Sequence, residues 1–152
     1  MICIRDRVRF VETDTMGVVH HSKYLHWFEM GRAALLRAAG LSLNDLMDAG
    51  ILFPIAEVDV KYKNSCKYDD EYEVQTTCTA ITRIKLEFEQ KVIRLRDGAV
   101  AAEGKVRNVF TDKDGKPTRV LIRVSMFSDS FSAPEETLPM GQWMILVLSK
   151  RY

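Results

Sequence analysis

The stretch E-T-D-T-M-G-V-V-H-H-S-K-Y-L-H-W-F-E, residues Glu12 to Glu29, contains all three histidines of this 152-residue chain. It joins a strand-like opening to a long helical pattern, and it places Asp14 ahead of His21 with a glycine between them. Backbone N–H groups in the first turn of a helix have no partners within the helix and carry partial positive charge. A carboxylate beside such groups would equip this segment for chemistry on a carbonyl group.

The composition is that of an ordinary globular protein with one domain. The formal net charge of +1 gives no reason to expect nucleic acid or an anionic membrane as a bulk partner. The longest apolar run, Trp143 to Leu148, is much shorter than the roughly 20 residues of a membrane helix. We therefore expect no nucleic-acid partner and no membrane span.

The cysteines Cys3, Cys66 and Cys78 are odd in number and far apart, which predicts neither a disulfide framework nor a metal knuckle. We expect them to be reduced and mostly buried, which favours a cytoplasmic protein. The charged opening segment is not typical of a signal peptide. The histidine spacing differs from the zinc-binding H-E-x-x-H pattern, so no metal is expected.

Hydrophobic periodicity predicts a strand, a long helix, a short helix and four further strands, in that order. Alternation indicates the first strand, from about Ile2 to Glu12. Apolar residues at three- and four-residue steps predict a helix from Ser22 to Ala39, with Ser22 as its N-cap and Gly40 as its stop. The second helix is expected to run to about Asp48, with Ser42 as its cap.

Period-two patterns with short turns between them indicate that the later strands pair antiparallel. Helices packed on one face of an antiparallel sheet of about five strands make an α+β fold. We expect one domain over residues 1–123. The tail, residues 124–152, is expected to pack on that domain or to be partly disordered, with a strand or docking segment near its end.

Asp14 and His21 are the candidate catalytic residues. The carboxylate is suited to attack a carbonyl or to take a proton from water, and His21 to orient either group. Gly17 would let a substrate approach the backbone. This equipment suits an activated acyl group such as a thioester. The residues alone leave open a plainer interpretation, in which Asp14 is a turn residue and His20 and His21 form a solvated helix entrance.

The stretch V-R-F-V-E-T-D-T-M-G-V-V-H-H-S-K-Y-L-H-W-F-E resembles the amino-terminal signature of hotdog-fold acyl-CoA thioesterases, especially the 4-hydroxybenzoyl-CoA and Tol–Pal-associated group. A-E-V-D-V-K-Y-K-N-S-C-K-Y-D-D-E-Y-E-V is similar to the second strand of that family and the turn that follows. The resemblance covers about Val8 to Pro117. It implies a long helix wrapped by an antiparallel sheet, and homodimers formed by joining two sheets, often paired further into homotetramers. It also implies an acyl-CoA substrate bound at the dimer interface.

In this resemblance Asp14 matches the catalytic carboxylate. His21 matches the residue whose backbone N–H polarises the thioester carbonyl, a histidine with a supporting role in the Tol–Pal group. The residues implied to line the thioester are Val18, Val19 and His20. Gly17 and Tyr24 are further candidates for binding the substrate, Tyr24 because aromatic positions on this helix are suited to shape an acyl pocket. Some relatives carry a tyrosine where this chain has Phe10, and the tail departs from the family pattern.

Basic residues near two turns are candidates for binding the CoA phosphates, because phosphate needs only cations at a reachable rim. These are Arg83, Lys85, Lys116 and Arg119. Solvated turn charges are the alternative interpretation for each of them.

The predicted function is acyl-CoA thioester hydrolysis without a cofactor. One alternative is a non-catalytic acyl-CoA-binding hotdog protein, and the presence of both Asp14 and His21 argues against it. The other alternative is a hotdog dehydratase, whose H-F-P-G-type segment is absent from this sequence.

Overall fold

The computed structural model describes residues 1–41, 43–125 and 144–148, with side chains described over 1–41 and 43–120. Its elements are β1 (Ile2–Arg7), a 3-10 turn (Phe10–Glu12), α1 (His21–Ala38), α2 (Leu43–Asp48), β2 (Ile55–Tyr62), β3 (Glu71–Ile81), β4 (Lys85–Arg94), β5 (Ala99–Val109), β6 (Leu121–Ser125) and β7 (Met144–Leu148).

Five of the strands form one antiparallel sheet in the order β1-β3-β4-β5-β2. The two edges are therefore the first strand of the chain and the strand that follows the helices. The connections from β3 to β4 and from β4 to β5 are short, as the turn residues in the sequence predicted. The predicted α+β arrangement with five strands is confirmed.

Helix α1 packs across β1, β3 and β4. Its buried positions recur at helical spacing and include Tyr24, Trp27, Phe28 and Leu36. Gly31 lies on the same face, where a Cβ atom would come within 2.3 Å of Thr76 Oγ1. The prediction that small residues in mid-helix allow a close approach to the sheet is confirmed at Gly31.

A buried polar network fixes α1 against the sheet. Gln90 Nε2 on β4 donates to the Phe28 carbonyl at 2.8 Å and to Thr76 Oγ1 at 2.9 Å. The Gln90 carbonyl accepts from Arg32 Nη1 at 3.0 Å, and burial lowers the pKa of Arg32. Because these bonds are directional, they set where the helix crosses β3 and β4.

Edge strand β2 is covered by helix α1 only in part, where the centroid of the Tyr62 ring lies 5.4 Å from that of the Tyr24 ring. Its helix-side residues Val58 and Tyr62 are 40% and 48% exposed, and Ile55 at its start is 48% exposed. A long apolar edge strand presents unpaired backbone groups and is a ready template for pairing with another strand.

Two predicted boundaries were wrong at the start of the chain. Strand β1 ends at Arg7 rather than Glu12, because the Arg9 N–H donates to Glu12 Oε2 at 2.8 Å and curls the chain into the 3-10 turn. The N-cap of α1 is His20 rather than Ser22, since His20 Nδ1 accepts from the Ser22 N–H at 3.4 Å. The helix does stop before Gly40, whose φ is +78°.

Ser42 and residues 126–143 and 149–152 lie outside the described residues, so the cap prediction for Ser42 and most of the tail prediction lie there too. Strands β6 and β7 pair antiparallel, which places a strand near the end of the chain as predicted. The domain boundary at residue 123 stays a prediction.

Cys66 is buried, but Cys78 is half-buried and Cys3 is exposed. The expectation of mostly buried cysteines is therefore correct for Cys66 and wrong for Cys3, which lies on the outer side of edge strand β1. Within the described ranges, the helices are too short or too polar to cross a membrane.

Candidate active site

Residues 12–20 form a closed loop that places Asp14 beside the N-terminus of α1. The loop is held at its base by a bridge between Thr13 and Val19, and further up by the Asp14 N–H, which donates to the Val18 carbonyl at 2.9 Å. Gly17 closes the turn with a φ of +73°, a conformation that favours glycine. A Cβ atom at Gly17 would meet no atom within 4 Å. In the single chain, the positive φ therefore explains the glycine and a lack of space does not.

Asp14 is half-buried, and its two carboxylate oxygens differ in their surroundings. Oδ1 accepts a hydrogen bond from the Met16 N–H at 2.8 Å. Among the described residues, no group donates a hydrogen bond to Oδ2. Asp14 is therefore a turn residue, as the plainer interpretation held, and it also keeps one oxygen available for chemistry.

The backbone N–H of His21 is the first of helix α1, and no described residue accepts a hydrogen bond from it. The next two N–H groups, those of Ser22 and Lys23, are bonded to the His20 side chain and carbonyl. An unpartnered N–H at the positive end of a helix dipole is suited to stabilise a developing oxyanion.

The three histidines have different surroundings. The His20 ring caps α1, with Nδ1 2.8 Å from Ser22 Oγ, while the rings of His21 and His26 are exposed. The His20 and His21 ring centroids lie 4.2 Å apart. In the described part of the chain, no three His, Cys, Asp or Glu side chains are grouped so as to hold a metal ion.

The end of β2 reaches the helix mouth through Tyr62. Its hydroxyl donates to the His21 carbonyl at 3.1 Å, and its ring lies edge-on to the His21 ring with centroids 6.3 Å apart. Edge strand β2 therefore ends beside the candidate site.

Tyr24 and Val19 lie beneath the loop. The Val19 N–H donates to the Cys66 carbonyl at 2.8 Å, and the Cys66 N–H donates to Tyr24 Oη at 3.3 Å. Tyr24 is 3% exposed, and burial raises the pKa of its hydroxyl. In the single chain the side chain of Tyr24 belongs to the core, and its substrate contact stays a prediction.

Glu12 is a component of this region that sequence reasoning missed. Its carboxylate is buried, and Oε1 accepts from Trp27 Nε1 at 2.9 Å. Trp27 stands fifteen residues further along the chain, on the inner face of α1. No local spacing rule connects the two positions. The signal in the sequence was a carboxylate two residues before Asp14.

The predicted phosphate-binding residues lie at the other end of the sheet. Asp14 is near the ends of β2 and β4. Lys85 is instead the first residue of β4, Arg83 lies in the turn before it, and Lys116 and Arg119 lie near the turn after β5. Since β4 has ten residues, the two ends are about 30 Å apart. Lys85 is also paired with Glu87, with Nζ 2.7 Å from Oε1. Within one chain, the structure does not bring Arg83, Lys85, Lys116 or Arg119 to Asp14.

The family model described as the thioesterase-like superfamily matches residues 8–140. Over 69 residues the chain is 39% identical to YneP of Bacillus subtilis. The aligned residues make up 45% of this chain and 50% of YneP. Over 87 residues it is 32% identical to the acyl-CoA thioester hydrolase YbgC of Escherichia coli, covering 57% and 65%. The chain thus spans between half and two thirds of the length of these two relatives.

Among solved structures, a DHNA-CoA thioesterase from Staphylococcus aureus matches with a TM-score of 0.73 at 29% identity, over 77% of this chain and 78% of that one. The narrower resemblance to the 4-hydroxybenzoyl-CoA and Tol–Pal-associated group stays a prediction. Since the family match covers most of the chain and the sheet and helix agree with it, this chain belongs to the thioesterase-like superfamily and has the hotdog fold.

Proposed function

We propose that this protein hydrolyses an acyl-CoA thioester to a carboxylic acid and CoA. The observation that carries the proposal is the Asp14 loop, which leads directly into the start of α1. Within the described ranges, Asp14 Oδ2 receives no hydrogen bond and the first N–H of α1 has no acceptor. The name of YbgC as an acyl-CoA thioester hydrolase supports the same reaction class.

In the proposed reaction, the thioester carbonyl accepts a hydrogen bond from the His21 N–H. This polarises the carbon and stabilises the oxyanion as it forms. Asp14 then follows one of two routes. It attacks the carbon, expelling CoA thiolate and leaving an anhydride that water hydrolyses, or it takes a proton from a water that attacks. Both routes end in carboxylate and CoA.

The loop supplies the rest of the thioester site in this proposal. The exposed Gly17 and the half-buried Val18 and His20 border the path to the His21 N–H, while the buried Val19 holds the loop through Cys66. A thiolate is a far better leaving group than an amine, so a carboxylate and an oxyanion donor suffice for a thioester.

We infer that the active unit is at least a homodimer joined through β2. In the described part of the chain, Val58 and Tyr62 on the helix side of this strand are 40% and 48% exposed, and Tyr62 also contacts His21. If two copies of β2 pair antiparallel about a two-fold axis, the start of one strand lies beside the end of the other. A homotetramer of two such dimers is the larger assembly that the resemblance implies.

The same pairing would supply the CoA phosphate site. Arg83 and Lys85 lie about 30 Å from Asp14 in their own chain, by the rise of β4. In the antiparallel pair, the end of the partner's sheet that carries these basic residues would lie beside the Asp14 loop of the first chain. The predicted phosphate contacts of Arg83, Lys85, Lys116 and Arg119 are therefore proposed to act in trans. A cytoplasmic location also remains a prediction.

The test is release of CoA thiol from short, medium, long and aromatic acyl-CoAs by the purified protein. Turnover that saturates with one class of acyl group is the expected result, and it would name the substrate. A folded protein that binds acyl-CoA but hydrolyses none of the panel would contradict the proposal and favour the binding-protein alternative.

A further inference from the structure

The carboxylate of Glu12 is a buried charged group with no part in the proposed chemical steps. Glu12 is 7% exposed. A buried carboxylate is strongly disfavoured unless its oxygens receive hydrogen bonds. Here Oε1 accepts from Trp27 Nε1 at 2.9 Å and Oε2 accepts from the Arg9 N–H at 2.8 Å. Both oxygens are therefore held in fixed directions.

Trp27 is a rigid anchor for this contact. It is 1% exposed, and its ring stacks on Tyr72 of β3 with centroids 3.9 Å apart at 19°. Tyr24 lies edge-on at 4.9 Å. Close packing of this kind strongly restricts a change of rotamer. Trp27 also belongs to α1, the helix whose first N–H is the proposed oxyanion donor.

The backbone of Glu12 forms the base of the Asp14 loop. Its carbonyl accepts from the His20 N–H at 2.9 Å, directly before α1 begins. The side chain of Glu12 thus contacts the helix at Trp27, while its backbone contacts the helix entrance at His20. Asp14 follows Glu12 by two residues, so both contacts limit where its carboxylate can lie.

We propose that Glu12 is a positioning residue, which holds the Asp14 loop at a fixed place against the His21 N–H through its bond to Trp27. This inference rests on the proposed hydrolysis. A misplacement of about 1 Å can lower a catalysed rate about a hundredfold. A residue that only stabilised the fold would instead leave kcat unchanged in the folded variant.

Glu12→Gln is the variant that tests the inference, because it keeps the shape of the side chain. The amide replaces one acceptor oxygen with a donor, which then faces the N–H of Arg9 or Trp27. Glu89→Gln is the matched control, since Glu89 is exposed and pairs with Lys105 on the opposite face of the sheet. Three quantities are compared in wild type and both variants: kcat, KM and the hydrogen exchange of individual backbone amides.

We expect Glu12→Gln to lower kcat by about tenfold or more, with a much smaller change in KM. We also expect the Asp14 and His20 amides to exchange about tenfold faster, while the β3 and β4 amides keep wild-type rates. Trp27→Phe should reproduce the loss of kcat, and the double variant should be no slower than either single variant.

Wild-type kcat and wild-type exchange in a folded Glu12→Gln protein would overturn the inference. So would equally faster exchange throughout the sheet, which would mark a general loss of stability. If the wild type hydrolyses no acyl-CoA, the proposed function fails instead. The exchange of the Asp14 and His20 amides then decides by itself whether Glu12 positions the loop.

Discussion

Asp14 Oδ1 accepts a 2.8 Å hydrogen bond from the Met16 N–H, two residues further along the loop. The same side chain therefore shapes the loop with one oxygen and has the other available for the proposed reaction. This division of roles separates two substitutions that are often treated as equivalent. Asparagine can keep the acceptor oxygen, whereas alanine removes it.

We expect Asp14→Ala to lower the free energy of unfolding by about 0.5–1 kcal/mol, because the turn loses the bond to Met16. Asp14→Asn should lower it by less, since its amide oxygen can still accept from the same N–H. Urea denaturation of the two variants beside wild type checks this expectation. Equal destabilisation by both would show that the bond does not hold the loop.

Gly31→Ala should destabilise the protein by about 1–3 kcal/mol, the usual cost of overpacking a closely packed interior. The added Cβ would lie 2.3 Å from Thr76 Oγ1, so α1 must move away from β3 or the Gln90 network must rearrange. Ala38→Ser, at the exposed end of the same helix, is the control and should change stability by less than about 0.5 kcal/mol. Similar midpoints in urea for both variants would mean that the close approach is not needed.

The sequence predicted the fold well because the later strands have clean period-two patterns and obvious turns. It misplaced the end of β1 because Val8 and Phe10 continue the alternation of the strand. A local polar contact, the bond from the Arg9 N–H to the Glu12 carboxylate three residues further on, turns the chain there instead. Hydrophobic alternation does not register a bond between a backbone N–H and a side chain.

The candidate site was predicted in part. Asp14 and His21 were found from their types and their place before a helix, and both lie where the loop meets α1. Ser22 was predicted as the cap by a residue preference that His20 overrides with its ring nitrogen. The pairing of Glu12 with Trp27 depends on the rotation of α1 about its own axis. Hydrophobic periodicity predicts that rotation only approximately.

We expect thiol reagent at pH 8 to modify Cys3 in the native protein and to leave Cys66 and Cys78 unmodified. Burial raises the pKa of Cys66, and it raises the pKa of Cys78 to about 11, so little reactive thiolate is present there. The pKa of the exposed Cys3 is also raised, by partial desolvation first and then by Glu73. Its rate of modification should therefore increase as the pH rises from 7 to 9.

Titration with a coloured disulfide reagent, before and after addition of guanidinium, measures this difference. Cys3→Ser is the control and should abolish the native reaction. Rapid modification of two thiols in the native wild type would contradict the burial of Cys66 and Cys78. The Cys3→Ser variant would also remove the background signal of the protein from any assay of released CoA thiol.

Val58→Arg should convert the protein to a monomer and lower its turnover by more than about tenfold, because a charge on the partly exposed helix side of β2 opposes pairing. Lys61→Gln, on the opposite face of the same strand, should keep both assembly and activity. Light scattering at several protein concentrations and thiol release provide the two readouts. A wild type that is monomeric and fully active would contradict the proposed dimer.

The role of Asp14 in hydrolysis is tested by comparing Asp14→Asn with wild type on the acyl-CoA that wild type hydrolyses fastest. Both CoA release and calorimetric binding of the same compound are measured. We predict that turnover falls by about a hundredfold or more, as loss of a catalytic acid–base or nucleophilic group requires. Binding and thermal unfolding should stay near the wild-type values, because the loop keeps its bond to the Met16 N–H. An Asp14→Asn protein that hydrolyses the thioester at the wild-type rate would contradict the proposal that the Asp14 carboxylate takes part in the reaction.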